Sequence, residues 1–449
     1  MSKKDSQIAP GAAPEKTKKT ALTLAIGVPI TTLLLVLVIQ AGLRASWRGD
    51  VEQTLADLSA EGVGIENLYP SPPPENGADD LHKAAKLLED AFSDDISMMR
   101  GARPQLLASV HRDPESESKW AVYEPLRSDS PPDVAGAVAV VLAKLEQVDP
   151  LLESGLKKEI VYRAGWEKGF EAELDWLMEI KELIQVLEIR VGWRMIQGDP
   201  EGAYRDLDHC LALAESLSAP SVVGRLVQIA VTLSCLEMLE DLLAMGDAPK
   251  ERSFSKLLKR LESLQKAGGL TASLRGELYA FSVMTDDPDV IAKSGDAMSK
   301  ASTSLLWGRW RAQHVALMAE LIRASRKPPA EFDEYIRDFE ARVIQDANPL
   351  SRLLLPALAK LQLKERKIQA RLRLATRALR LARRKELPKS VRDMPADPFT
   401  FDAKPCRYRR EGQGALLWSV GEDGRDANGK ADPERDGGPD DVSFRLLRK

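Results

Sequence analysis

The chain has 449 residues, a net charge of −4 and 44 % hydrophobic side chains, which leaves room for two or three folded units of ordinary globular composition. The near-neutral balance gives no overall argument for nucleic acid. Only three cysteines occur, Cys210, Cys235 and Cys406, with no close pair, so neither a disulfide framework nor a thiolate zinc site is indicated.

Residues 1–20 are polar, contain Pro10 and Pro14, and read as a disordered cytoplasmic tail. From Ala21 to Leu43 no side chain is charged, and a helix of that length crosses a bilayer core. Lys3, Lys4, Lys16, Lys18 and Lys19 precede the run, against Arg44 and Arg48 after it. This bias keeps the N-terminus in the cytoplasm and sends the bulk outward, as expected of a single-pass protein of a bacterial inner membrane. A cleaved signal peptide is the competing reading, but its apolar core is usually shorter, and Gly42, Leu43, Arg44 and Ala45 make a poor cleavage site. Pro29 is tolerable within a membrane helix.

Residues 44–78 are expected to hold a short juxtamembrane helix ending near Ala60. A stretch with Tyr69, Pro70, Pro72, Pro73 and Pro74 follows. Consecutive prolines favour extended backbone, so it reads as a stiff spacer holding the folded part off the bilayer. Residues 79–385 form the expected helical domain, interrupted by a proline-punctuated stretch from Arg112 to Asp133. From Val134 onward apolar residues recur at three- and four-residue steps. Ile180, Ile184, Leu187 and Val191 make one stripe, and Tyr204, Leu207, Leu211 and Ala214 make the next. Between them Gly198, Asp199, Pro200 and Glu201 supply a helix stop, an N-cap, a first-turn proline and an early acid. Further helices are expected near 221–245, 250–267, 296–325, 331–346 and 350–385. Trp166, Trp176, Trp193, Trp307 and Trp310 read as core or groove packing.

The segment 187–220, which ends in "GDPEGAYRDLDHCLALAESLSAP", resembles one tetratricopeptide repeat. A single copy implies an antiparallel helical array rather than a full repeat solenoid. Leu361, Ile368, Leu372, Ala375, Leu379 and Ala382 form a stripe along a later helix. Between Lys364 and Lys385 ten lysines and arginines face one acid, Glu365. The charge suits anionic lipid, an acidic protein or nucleic acid; a solvated face balancing the acidic remainder is the favoured reading, and no nucleic acid is expected.

Residues 386–449 change character. Short β-prone runs, Cys406 to Arg410, Ala415 to Val420 and Val442 to Leu446, are expected as strands, with Glu411 to Gly414 as a hairpin turn. "ELPKSVRDMPADPFTFDAKPCRYRR", then "LLWSVGEDGRDANG" and a closing "DD", resembles the C-terminal module of type II secretion major pseudopilins. In that family the final loop binds calcium. The resemblance implies calcium ligands at Asp423, Asp426, Asp440 and Asp441, and a turn at Asp397, Pro398 and Phe399. Calcium takes several oxygen ligands, which a glycine-rich acidic loop supplies; a solvated acidic loop is the alternative. An assembling pilin is not expected, because no acid follows a processing site into the apolar run. The whole arrangement resembles single-span proteins of planctomycete-type bacteria.

No sequence-local catalytic signature is found, and His82, His111, His209 and His314 are scattered. The expected fold is mostly α: a transmembrane helix, an antiparallel helical array and a small β-rich module. The expected function is a membrane-anchored extracytoplasmic scaffold or protein-interaction protein with a protein partner. An accessory role in a secretion or pilus-like system is the alternative, with a hydrolase further behind.

Overall fold

A computed structural model describes residues 42–92, 132–286, 307–430 and 441–446, apart from a few positions within those ranges. The cytoplasmic tail, nearly all of the apolar run Ala21–Leu43, His111 and Asp440 lie outside the described residues.

Helix α1 occupies residues 45–60 and buries Val51 and Leu58. It stops at Gly62, whose φ of 73° is open to a residue without a Cβ. The segment after it differs from the expected spacer. It is fastened along its length to the helical body. Arg275 Nε donates to Gly64 O (2.7 Å), Tyr69 Oη donates to Pro220 O (3.0 Å), and Asn76 Nδ2 donates to Val161 O (2.7 Å). Prolines offer no amide of their own, so carbonyls and flanking side chains make the attachment, and the segment becomes a strap.

Helices α2 (Gly77–Phe92) and α3 (Pro132–Lys157) follow. They cross where Gly77 and Gly155 meet: a Cβ on Gly77 would lie 2.3 Å from Gly155 O. The expected hairpin is present as α4 (Asp175–Ile196) and α5 (Pro200–Ser216). Gly198 has φ 70°, Asp199 accepts from Gly202 N (3.0 Å), and both apolar stripes are buried. Helix α6 (Val222–Ala244) is long and apolar enough to cross a membrane by length and composition. Within the fold it is a core helix, packed against α4, α5 and the last long helix.

Helices α7 (Glu251–Lys266), α8 (Leu270–Asp286), α9 (Trp307–Ala324), α10 (Pro329–Asp346) and α11 (Pro349–Ala382) complete the array. The Asn348 side chain caps α11 by accepting from Ser351 N (3.0 Å). Leu361, Ile368, Leu372, Ala375 and Leu379 are buried along it. Its basic face is largely committed to internal partners. Arg366 pairs with Asp333, Arg371 with Glu240, Arg377 with Asp393, Arg380 with Glu262 and the adjoining Arg383 with Glu251.

Strands β1 (Arg407–Glu411), β2 (Gly414–Ser419) and β3 (Val442–Leu446) form an antiparallel sheet in the order β1-β2-β3. Glu411 pairs with Gly414 across a two-residue turn in which Gly412 has φ 58°. The sheet does not stand apart from the helices. Leu417 and Phe444 join the same core as α11, and Glu240 of α6 accepts from Arg445 N (2.7 Å).

Candidate functional site

Among the described residues, two places gather side chains with binding chemistry. The first is a cleft of about 710 Å³ between the strap and the helical body, walled by Tyr69, Pro70, Pro72, Tyr162, Trp166 and Tyr279. Tyr69 stacks on Trp166 with centroids 4.3 Å apart and meets Tyr279 edge-on at 5.1 Å. Tyr162 is held by stacking on Trp176 at 3.8 Å and by a 2.8 Å hydrogen bond with Ser216. The rings are thereby fixed before any ligand arrives.

Glycine at position 276 makes this geometry possible. A Cβ there would lie 1.3 Å from Pro220 O, so only glycine lets α8 approach the carbonyl that also accepts the Tyr69 hydroxyl. Glu277, the next residue, accepts from Val222 N (2.8 Å) and ties α8 to the start of α6. Burial raises the Glu277 carboxyl pKa above its ordinary value. Burial, and then the Glu277 charge, hold the Tyr69 phenol well above the usual phenol range, so it stays a neutral donor at physiological pH. At the rim Lys168 and Glu173 form an exposed ion pair (2.6 Å). The cleft therefore presents ring faces and proline edges with a charged lip, suited to packing an apolar or proline-bearing segment.

The second place is the acidic loop between β2 and β3. Asp426 Oδ1 accepts from Trp418 Nε1 and Asn428 N (both 2.9 Å), and Arg407 Nε lies 3.4 Å from Oδ2. Asp423 accepts from Arg425 N (2.8 Å). Asp441 is 2 % exposed; its Oδ2 accepts from Gly429 N (2.7 Å), while its Oδ1 is buried with no hydrogen-bond partner. Burial, with the charges of Asp426 and Asp423 contributing, pushes the Asp441 carboxyl up to about 6. Asp423, Asp426 and Asp441 thus share one electrostatic neighbourhood, although among the described residues no three side chains form a ready-made metal cluster. The orphaned oxygen fits a cation ligand. The Arg407 contact to Asp426 is the feature a cation would displace.

Asp397 has a structural position that the turn motif did not reveal. It is 2 % exposed and accepts from Ser419 Oγ (2.6 Å), Val420 N (3.0 Å) and Phe399 N (3.0 Å), locking the turn to the end of β2.

Among the described residues no histidine lines the cleft. His314 is buried against Phe281, with Nδ1 3.2 Å from Ser351 Oγ, and burial lowers its pKa to about 4. His82 pairs with Glu179 at the surface (2.9 Å). From sequence alone the Trp166 ring reads as core or groove packing and Tyr69 only as part of a spacer. The cleft joins them across about 100 residues of sequence, and no local pattern signals such a contact. No family model matches the chain, and neither a curated protein nor a solved structure matches it.

Proposed function

We propose that the protein is a single-pass, membrane-anchored extracytoplasmic interaction protein that receives an extended, proline-bearing segment of a partner protein in the cleft beneath the strap. The observation that carries this reading is the preassembled set of Tyr69, Trp166, Tyr279 and Tyr162 around about 710 Å³ of open space. Fixed aromatic rings bind extended proline segments at little ordering cost, because the polyproline conformation is itself preformed. The fold uses this packing internally, with Pro70 and Pro72 lining the same cleft. The apolar run Ala21–Leu43 and the lysine bias before it support the anchor and its orientation.

A photoreactive phenylalanine derivative replacing Tyr279 in the full chain tests the reading in intact membranes. Cross-linking to an extended proline-bearing segment of another protein, lost when Trp166→Ala is added, is the expected result. Adducts only with lipid or with this chain would overturn it.

The buried Asp441 oxygen favours a second element of the proposal, a calcium ion held by Asp423, Asp426, Asp441 and Asp440. Bound there, the cation would supply charge compensation that ties the acidic loop to the sheet. This element, together with the pseudopilin-like pattern, supports the alternative role as an accessory of a secretion or pilus-like system. Calorimetric calcium titration of the full chain, beside Asp423→Asn/Asp441→Asn, separates a binding loop from a solvated one.

A further inference from the structure

Helices α1 and α9 run side by side in the same direction. At their starts, Gly308 lies against the Trp47 ring, so closely that a Cβ on Gly308 would be 2.6 Å from Trp47 Cε3. At their ends, Arg323 pairs with the Glu61 carboxylate (2.8 Å) and Arg326 reaches Glu61 O (3.3 Å). The fourteen or fifteen residues between these contacts on each helix span roughly 21–22 Å at helical rise. The start of α1 follows Leu43, the last residue of the apolar run. Trp47 is four residues further on, about 6 Å along a helix. The start of α9 is therefore set at the same depth as the first turn of α1.

The side chains at that depth are Trp47 and Arg48 on α1 with Trp307, Arg309, Trp310 and Arg311 on α9. The three tryptophans are half-buried, and Arg48 and Arg309 are exposed. Tryptophan settles at the headgroup level of a bilayer because its ring is apolar and its N–H polar, and arginine meets lipid phosphate there. Asp50 and Glu52 lie further along α1, and Glu52 accepts from Arg48 (3.0 Å). The first turn of α1 thus carries Arg48 with its acids one turn further on, and Arg309 adds an exposed cation at the start of α9.

We propose that the N-terminal turn of α9, with Trp307, Arg309 and Trp310, joins Trp47 and Arg48 in a second, peripheral contact with the bilayer surface, so that the body sits on the membrane. This rests on the membrane-anchor reading. The occupant is the headgroup layer of the bilayer that the anchor crosses, and the contact orients the cleft relative to it.

The test uses the full chain in nanodiscs of phosphatidylcholine and phosphatidylglycerol. The three native thiols are buried, so a fluorophore can be directed to Arg309→Cys or, as a control, to Lys327→Cys. Position 327 lies just beyond the other end of α9, roughly 27 Å away at helical rise. Headgroup nitroxide lipid should quench the label at 309 several-fold more than the label at 327. Adding Trp307→Ser/Trp310→Ser should reduce quenching at 309 with helicity unchanged. Equal quenching at both positions in a disc-retained chain overturns the proposal alone. Release of the chain from bilayers by alkaline carbonate overturns the anchor, and the proposal with it.

Discussion

Asp441→Asn isolates the charge buried beneath the acidic loop. An acid whose folded pKa is raised binds its proton more tightly when folded. The stability this contributes is full below the unfolded value near 3.8 and is lost as pH rises through about 6. The difference between these values corresponds to about 3 kcal/mol. Asparagine keeps an acceptor for Gly429 N–H and does not titrate. Without calcium, the variant should therefore match the wild type near pH 4 and exceed it by up to about 3 kcal/mol at pH 7.5. Hydrogen exchange of the β3 amides, corrected for intrinsic rates at each pH, reads this locally. Protection in the variant should be about a hundredfold greater at pH 7.5, since each 1.4 kcal/mol is a factor of ten. Millimolar calcium should stabilise the wild type and leave the variant unmoved. A variant less protected than the wild type at pH 7.5, or a difference independent of pH, would refute the reasoning.

Further substitutions probe the frame around the sites. Arg225→Met removes the partner of the buried Glu365 carboxylate (2.5 and 2.6 Å) and should cost about 3–5 kcal/mol in urea unfolding; adding Glu365→Met should restore most of it. Gly276→Ala drives a Cβ into Pro220 O and should lower the melting temperature and cleft cross-linking together, whereas Tyr69→Phe, losing one hydrogen bond, should cost about 1 kcal/mol. Gly429→Ala meets both a φ of 80° and the Leu416 side chain; about 1–2 kcal/mol from the backbone alone should appear as faster exchange in β2, and unchanged exchange would contradict the assigned geometry.

The helices were legible where periodicity and punctuation agreed. Gly198, Asp199 and Pro200 mark one hairpin by local chemistry alone, and the stripe from Leu361 to Leu379 marks α11. The three strands were legible too, because short β-prone runs and the turn at Glu411 to Gly414 are local signals. Helix α8 was not among the expected helices. Its residues Thr271, Ser273, Gly276 and Thr285 weaken the apolar pattern, and its place is set by contacts with Pro220, Val222 and Gly64. The strap reads as a spacer for the same reason. Proline composition reports local stiffness but not what the segment lies against, and Tyr69 finds its partners at 166, 220 and 279. The carboxylates of the acidic loop were visible as a set, while the burial that singles out Asp441 depends on how β3 returns to the sheet.

The most direct test of the account is protease accessibility of the full chain in right-side-out membrane vesicles. If the body faces outward on an uncleaved anchor, external protease should remove residues after Leu43 and leave a small carbonate-resistant N-terminal fragment. A chain that resists external protease until the vesicles are opened, or that leaves the membrane without its N-terminus, would contradict it.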